Sequence, residues 1–321
     1  MNLSLFGLET NLTTDAGLGA ENKTFYDKTL IKLAKPNLIH GQFGQERKIP
    51  KNGGKQIEFR KFMPLGKATE PLTEGVTPDG QKLSVATQSA TVHQYGGYVT
   101  ISDELDMTSI DPIVTETVEL ISDQAAKTLD TIERDVLISG TNVQYGDGSV
   151  EERSAVTKDM KMSVDVLKRA VRALKTQNAP KINGYYVAIM HPSCAYDLMN
   201  DPAFIEAQKY QNSEKLFRGE IGEIAGCKVI ESTEAKVFGK LGANNATIYA
   251  TLVFGKDAYG VTSIEGGGLS TIVKGLGSSG TADPLNQRST VGWKAFHTAE
   301  ILVDNYLVRV ETASTFDDEE N

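Results

Sequence analysis

One short stretch of the sequence places three side chains that could do chemistry beside one another. His191-Pro192-Ser193-Cys194 sets a potential general base next to two potential nucleophiles, which is the pairing that acyl transfer requires. The base must also be oriented by a third group, and neighbouring residues at the end of a strand rarely meet that geometry. The stretch therefore predicts a strand-to-helix turn with Ser193 as the helix cap, and a cytosolic hydrolase using His191, Ser193 or Cys194 stays an alternative.

The other histidines and the cysteines form no metal or redox motif. His40, His93, His191 and His297 have none of the short spacings of zinc or iron ligands. Cys194 and Cys227 lie far apart and outside any CxxC pattern, which argues against a disulfide framework or a zinc site. Both are predicted to be thiols of the hydrophobic core.

The glycine-rich stretches also fall short of a binding motif. Gly222-Glu223-Ile224-Ala225-Gly226 and Gly266-Gly267-Gly268 lack the GxGxxG and P-loop patterns that cradle phosphates. The stretch 145–149 has too few oxygen ligands for calcium. The sequence thus predicts no enzyme, no catalytic, cofactor-binding or metal-binding residue, and no cofactor.

The composition disfavours several classes of partner. The 321 residues carry 33 Lys and Arg against 42 Asp and Glu, a net charge of -9, and such a balance does not suit a surface built to grip nucleic-acid phosphates. No signal pattern opens the chain, and no window approaches the roughly 18 apolar residues of a membrane span. A product made in the cytoplasm, without a membrane partner, is expected.

The longest regular element is a helix predicted for residues 111–140. One apolar stripe recurs at steps of three and four, at Val114, Val118, Ile121, Ala125, Leu129, Ile132 and Val136. Asp111 and Pro112 suit its first turn, and Gly140 suits a left-handed closure. The opposite face is predicted to be charged, with Glu116, Asp123, Lys127, Asp130 and Glu133. Such a helix, roughly 40 Å long, must bury its apolar side against another part of the structure.

Before this helix the sequence predicts an arm and a projecting loop. Residues 1–50 show little periodicity beyond one short helix, starting at Asn22 or Thr24 and ending at Ala34 before Pro36, so they are read as an arm. Strand patterns at 55–62 and 83–101 flank residues 63–82, which are rich in Pro and Gly. Loops of that length are commonly functional or held by a partner.

After the long helix the sequence predicts an α+β unit. A plain loop is expected over 141–158, followed by helices at 163–177, 193–199 and 202–209 and by strands at 185–190, 228–230 and 247–254. Strands at 290–302 and 306–312 come last, and the final strand is apolar on both faces, so it should be covered on both sides. The acidic tail 317–320 is expected to be disordered.

The arm, the projecting loop, the long helix and the C-terminal strands expose surface that a single subunit would not cover. Together they favour assembly with further copies of the chain. They occur with a set of motifs that resembles the major capsid proteins of N-four-like tailed bacteriophages. The matching blocks span most of the chain in order: Phe43-Gly44-Gln45, Ile49-Pro50-Lys51-Asn52-Gly53-Gly54, Ile57-Glu58-Phe59-Arg60, the run 71–78, Gln94-Tyr95-Gly96-Gly97-Tyr98-Val99 with Ser102-Asp103, Asp283-Pro284-Leu285-Asn286-Gln287-Arg288, and Val291-Gly292-Trp293-Lys294.

The resemblance implies an α+β fold of the Hong Kong ninety-seven type. It divides the chain into an N-terminal arm (1–50), an extended β-hairpin loop (51–102), a peripheral domain (103–159 and 266–321, with the spine helix 111–140) and an axial domain (160–265). The spine stripe is then expected to pack on the returning strands 290–312, with its charged face toward one surface of a shell.

The function implied is that of a structural subunit. It would self-assemble into hexamers and pentamers of an icosahedral virion head that encloses double-stranded DNA without sequence-specific binding. Portal, scaffold or cementing proteins are possible further partners. An encapsulin-like compartment of the same fold is the nearest alternative.

Overall fold

The computed structural model describes residues 10–12, 38–63, 65–71, 74–75, 77, 79–108, 113–209, 222–278 and 280–321. In chain order, the strands are β1 (Thr10–Leu12), β2 (Gln45–Ile49), β3 (Gln56–Phe62), β4 (Val85–Thr91), β5 (His93–Ser102), β6 (Val143–Tyr145), β7 (Tyr186–Met190), β8 (Glu223–Ile224), β9 (Cys227–Glu231), β10 (Tyr249–Phe254), β11 (Tyr259–Ile264), β12 (Ser270–Lys274), β13 (Arg288–Ile301) and β14 (Leu307–Thr312). The α-helices are α1 (Asp103–Thr108), α2 (Ile113–Ile138), α3 (Val164–Thr176), α4 (Pro192–Met199) and α5 (Pro202–Lys209).

The first sheet is organised by the long strand β13. β5 pairs antiparallel with the first ten residues of β13, while β12 and then β11 pair antiparallel along its other edge. β1 and β2 add parallel strands outside β5 and β11. Because β13 has 14 residues, it holds together segments that enter the sheet from four distant parts of the chain.

Helix α2 lies along this sheet with its apolar stripe inward. Val118, Ile121, Ala125 and Leu129 form one core with Val291, Trp293 and Ala295 of β13, and the Trp293 indole N–H donates to Gln124 Oε1 at 3.0 Å. The expected packing of the stripe on the returning strand is therefore confirmed. The predicted cap at Asp111 and Pro112 lies outside the described residues.

The predicted faces of α2 are wrong in its second half. Ile132 and Val136 are only half-buried, whereas Leu137 is fully buried. Asp130 and Glu133, predicted on the charged outer face, are also buried. The buried face of the helix therefore includes these two carboxylates. They can be buried because each lies beside a histidine from another segment of the chain.

The end of α2 also differs from its prediction. The helix stops at Ile138, and Gly140 does not take the left-handed conformation. A Cβ on Gly140 would lie 3.0 Å from Asp304 Oδ1 and 3.3 Å from the side chains of Ile301 and Leu307. Close packing against the turn before β14 is therefore the reason for glycine at this position.

The second sheet has the order β6-β14-β10-β7-β9-β8. Helices α3 and α4 cover one face, where Leu167, Val171 and Leu174 pack with Val308 and Val310. Leu137 of α2 and Tyr259 of β11 cover the other face around Leu252, Phe254 and Leu307. The α+β unit and the double coverage of β14 are thus as predicted, and the start of α3 is capped by Ser163, which accepts from Val166 N–H.

One segment of this unit corrects its prediction. The stretch 141–158, predicted as a plain loop, contains β6, which pairs parallel with β14, and a 3₁₀ turn at Arg153–Ala155. In that turn the Arg153 guanidinium donates to both carboxylate oxygens of the fully buried Glu311 at 2.6 and 2.8 Å. A three-residue strand is too short to show a period, which is why the sequence pattern did not reveal it.

Strands β3 and β4 form a separate antiparallel hairpin. Gln56 pairs with Thr91 at its base and Phe62 with Val85 at its far end. Ile57 and Phe59 are half-buried while Glu58 and Arg60 are exposed, as the alternation predicts. No helix or strand occurs among the described residues between Phe62 and Val85.

Candidate assembly site

The stretch with chemical side chains forms a helix cap. Pro192 is the first residue of α4, and His191 is its N-cap, because His191 Nδ1 accepts the Ser193 backbone N–H at 3.3 Å. Ser193 was predicted to be the cap, and that prediction is wrong. The helix begins one residue earlier than expected, so the ring of the preceding histidine occupies the capping position.

The protons in this cluster are not arranged for nucleophilic catalysis. The Ser193 hydroxyl donates to Asp318 Oδ2, and this hydrogen bond is the main cause that lowers the pKa of Asp318. Burial lowers the pKa of His191, against the opposing effect of Asp318. A catalytic triad needs one ring nitrogen of the base at the nucleophile and the other at the acid. Here the same nitrogen, His191 Nδ1, lies 3.1 Å from Ser193 Oγ and 3.6 Å from Asp318 Oδ2, so this geometry supports a structural contact.

The two cysteines are thiols of the core, as predicted. Burial raises the pKa of Cys194 to about 12 and that of Cys227 to about 12. Cys194 Sγ lies 3.8 Å from Thr312 Oγ1. Neither cysteine offers the thiolate that nucleophilic chemistry at neutral pH requires.

The acidic tail is placed against the second sheet, which corrects the expectation of disorder. Asp318 accepts a hydrogen bond from the Tyr249 hydroxyl at 2.8 Å, and Phe316 packs edge-on against Tyr196 with ring centroids 5.1 Å apart. The Asn321 side chain accepts the Val237 N–H at 3.0 Å. Charge composition favoured a solvated tail, but one aromatic residue and two hydrogen-bonding side chains hold it.

The glycine motif at 222–226 is a tight turn. Ala225 and Gly226, which connect β8 to β9, have φ angles of 54° and 81°, the combination of a two-residue hairpin turn. This agrees with the predicted strand pair. Within the described part of the chain, no three His, Cys, Asp or Glu side chains are grouped to hold a metal ion, and no helix is long and apolar enough to cross a membrane.

Two histidines contact the spine helix. Asp130 accepts hydrogen bonds from the backbone N–H groups of Ile39 and His40, both at 2.8 Å, and from His40 Nδ1 at 2.7 Å. One turn later Glu133 Oε1 lies 2.8 Å from His297 Nε2. All four side chains are almost or fully shielded from solvent, so the helix fixes both the chain entering β2 and the middle of β13.

The strands of the hairpin are fixed to their own subunit. Phe59 packs on Gly260 of β11, where a Cβ would lie 2.9 Å from the ring. Lys61 Nζ lies 4.9 Å from the centroid of the Tyr306 ring, and Gln88 Nε2 donates to Glu300 Oε1 at 2.6 Å. These contacts set the direction in which the rest of the hairpin projects.

The far end of the hairpin is an apolar surface. Five large apolar side chains there are between 46% and 69% exposed: Phe62, Met63, Leu65, Leu83 and Val85. Such a group at the end of a two-stranded projection cannot be covered by the hairpin itself. We call these five residues the hairpin tip, and they are the most evident candidate surface for binding another molecule.

The comparison with protein families decides the class of this molecule. Residues 85–308, more than two thirds of the chain, match the model of the family described as phage capsid protein. The chain belongs to the phage capsid protein family. As a phage capsid protein it is a structural protein, and its place is the virion.

Solved capsid structures show the same fold at low sequence identity. The capsid of Ralstonia phage GP4 matches with a TM-score of 0.67 and 16% identity, over 87% of this chain and 89% of that chain. The capsid of cyanophage Pam1 matches with a TM-score of 0.65 and 15% identity, over 98% and 100%. The capsid protein therefore has the expected Hong Kong ninety-seven-type fold.

The fold also extends to a particle from an archaeon. A virus-like particle from Pyrococcus furiosus matches with a TM-score of 0.52 and 11% identity, over 91% of this chain and 100% of that chain. No curated protein matches this chain. The family match favours the phage head over the compartment alternative, and the N-four-like subgroup stays a prediction.

Proposed function

We propose that the capsid protein forms the hexamers and pentamers of a head that encloses double-stranded DNA, with the hairpin tip binding a neighbouring subunit. The observation that carries this proposal is the contrast along the hairpin. Its strands are anchored within the subunit by Phe59, Lys61 and Gln88, whereas its tip exposes five apolar side chains. Anchored strands and an uncovered tip are suited to contact between copies.

The proposal divides the chain by role. Residues 1–50 are the arm, 51–102 the extended loop, 103–159 with 266–321 the peripheral domain, and 160–265 the axial domain. The packed cores support the centre of this division, because β13 with α2 forms one layer and β10 with α3 and α4 forms the other. The sheets themselves cross its bounds, since β6 and β14 join the second sheet and β2, β5 and β11 join the first. Subunits are made in the host cytoplasm, and portal, scaffold or cementing proteins complete the head.

A double substitution at the tip tests the proposal. Leu65→Ser with Leu83→Ser should leave the subunit folded, because both side chains are exposed, while lowering the yield of particles at least roughly 10-fold through lost apolar burial between subunits. Particles are counted by negative-stain microscopy and folding is followed by circular dichroism. Leu241→Ser, at a residue 53% exposed on the second-sheet unit, is the matched control. Normal particles from the double variant would contradict the tip assignment.

A further inference from the structure

Helix α3 presents a row of positive charge on the second-sheet unit. Its buried face packs Leu167, Val171 and Leu174 into the core, so residues four and seven positions apart line up on the outer side. Lys168, Arg172 and Lys175 occupy this outer row and are exposed. We call these three residues the basic row.

The basic row borders an open depression beside the β8–β9 turn. The depression has a volume of about 440 Å³ and is lined by the basic row together with Val171, Thr176 and Ala225. A fourth cation stands at its edge, because Lys181 Nζ lies 3.8 Å from the position that a Cβ would take on Gly226. Four positive charges thus converge on one shallow surface.

These charges are not neutralised within the described part of the subunit. The basic row and Lys181 make no ion pair with any carboxylate that the structure describes. The nearest acidic residue of the helix, Asp165, is engaged by Arg169 Nε at 2.9 Å. On the other side Glu223 lies opposite Lys228 in the β8–β9 register, and none of the ion pairs of the described residues joins Glu223 to the basic row or to Lys181. In a chain of net charge -9, this local excess of positive charge attracts an anion.

The shape of the surface indicates which anion. Its apolar floor consists of Val171 and Ala225 alone, and it contains no aromatic side chain, so it offers neither a pocket for peptide side chains nor a platform for stacked bases. Lysine ammonium groups on an open surface contact phosphates as point charges. We propose that the basic row binds the phosphodiester backbone of double-stranded DNA without reading its sequence, an inference that rests on the proposed function of enclosing DNA.

This contact is compatible with the acidic balance of the whole chain. Net charge describes the total field, whereas a phosphate contact acts over about one Debye length, roughly 8–10 Å at physiological salt. Three or four charges per subunit give a contact that weakens steeply as salt rises. DNA would therefore be held loosely at many equivalent points and would remain free to move.

Binding to a labelled duplex tests the inference on the full-length subunit. Fluorescence anisotropy with a 20-base-pair duplex of mixed sequence is measured between 50 and 200 mM NaCl. Lys168→Gln, Arg172→Gln and Lys175→Gln together should weaken binding roughly 10-fold or more at 50 mM salt and reduce the slope of log K against log salt by about 2.7, since each phosphate contact contributes about 0.9. Lys168→Arg, Arg172→Lys and Lys175→Arg together should keep the wild-type slope.

A matched triple variant distinguishes the effect of the basic row from the effect of the net charge of the subunit. Lys51→Gln, Lys274→Gln and Lys294→Gln remove three exposed lysines elsewhere and should change affinity less than about 2-fold. Equal loss in both triples, or no loss in the first, overturns the inference. Competition by poly-L-glutamate as strong as that of DNA, charge for charge, would also overturn it, in favour of an acidic protein partner. Particle counts on the same preparations report separately on the proposed function.

Discussion

At the scale of single residues, carboxylates of the capsid protein fasten distant segments to one another. Asp130 binds the backbone and ring of His40, and Glu311 binds Arg153. Each of these carboxylates is fully buried. A buried carboxylate without its partner costs several kcal/mol, so these contacts specify which segments meet.

His191 and Asp318 make the attachment of the tail dependent on pH. Burial holds the pKa of His191 below its usual value, so the unfolded chain takes up a proton at about pH 6.5 before the folded chain does. Hydrogen bonding by Ser193 lowers the pKa of Asp318, so its contribution is lost at lower pH, as pH falls through the folded pKa. Both groups therefore destabilise the folded subunit as pH falls.

His191→Asn tests this dependence. Asparagine is a good helix cap but does not titrate, so the variant should lose less thermal stability than the wild type between pH 7 and pH 5. The melting temperature of unassembled subunits, followed by circular dichroism at several pH values, measures the difference. Parallel curves for the two proteins would show that His191 does not carry this part of the acid response.

At the scale of elements, the spine helix is the piece on which both sheets depend. Its first half packs on β13 through Val118, Ile121 and Ala125, and its last turn reaches the second sheet through Leu137. The Arg309 guanidinium of β14 donates to the carbonyl oxygens of Ile138 and Gly140, which satisfies the end of the helix. The helix therefore couples the layers as well as spanning one of them.

Adjacent residues of the helix provide a matched test of its faces. Ile121→Asp places a charge in the core that Ile121 shares with β13 and should destabilise the subunit by about 4 kcal/mol or more, or abolish soluble protein. Leu120→Asp, at a side chain that is 71% exposed, should change stability by less than about 1 kcal/mol. Urea unfolding of the two variants gives the comparison. Similar unfolding midpoints would show that the stripe is drawn on the wrong face.

Hydrophobic periodicity predicted the elements that are long or strongly alternating. It did not predict the burial of residues whose contacts lie far away in the sequence. The stripe through Leu129, the hairpin strand β3 and the last strand follow from local spacing alone. Asp130 and Glu133 look like surface residues by charge, because the histidines that meet them lie 90 or more positions away. Gly140 suited a helix terminus by type, but its packing against Asp304 depends on tertiary structure.

The two candidate surfaces, the hairpin tip and the basic row, could likewise be predicted from the sequence only in part. A long Pro- and Gly-rich segment between two strand patterns predicted a projecting loop, but not that its flanks, Phe62 and Val85, would leave their side chains uncovered. The residues of the basic row stand at helical spacing in the sequence. Its meeting with the Ala225 turn and Lys181 required the fold, because these residues approach only when β9 pairs with β7.

At the scale of the whole molecule, two sheets, a spine helix and an anchored hairpin make a subunit built for contact with copies of itself. Its carboxylates and histidines hold segments together, and we propose that the hairpin tip binds neighbouring subunits and that the basic row binds DNA. We propose that these subunits close into a shell of hexamers and pentamers around DNA.

Electron cryomicroscopy of particles purified from phage, or from cells expressing the full-length protein with its phage partners, shows whether they do. We expect icosahedral shells in which each hairpin tip lies on an adjacent subunit of a hexamer or pentamer, with nuclease-protected DNA inside the phage particles. Persistent monomers in phage-derived material, or shells in which the tip faces solvent, would contradict the proposal.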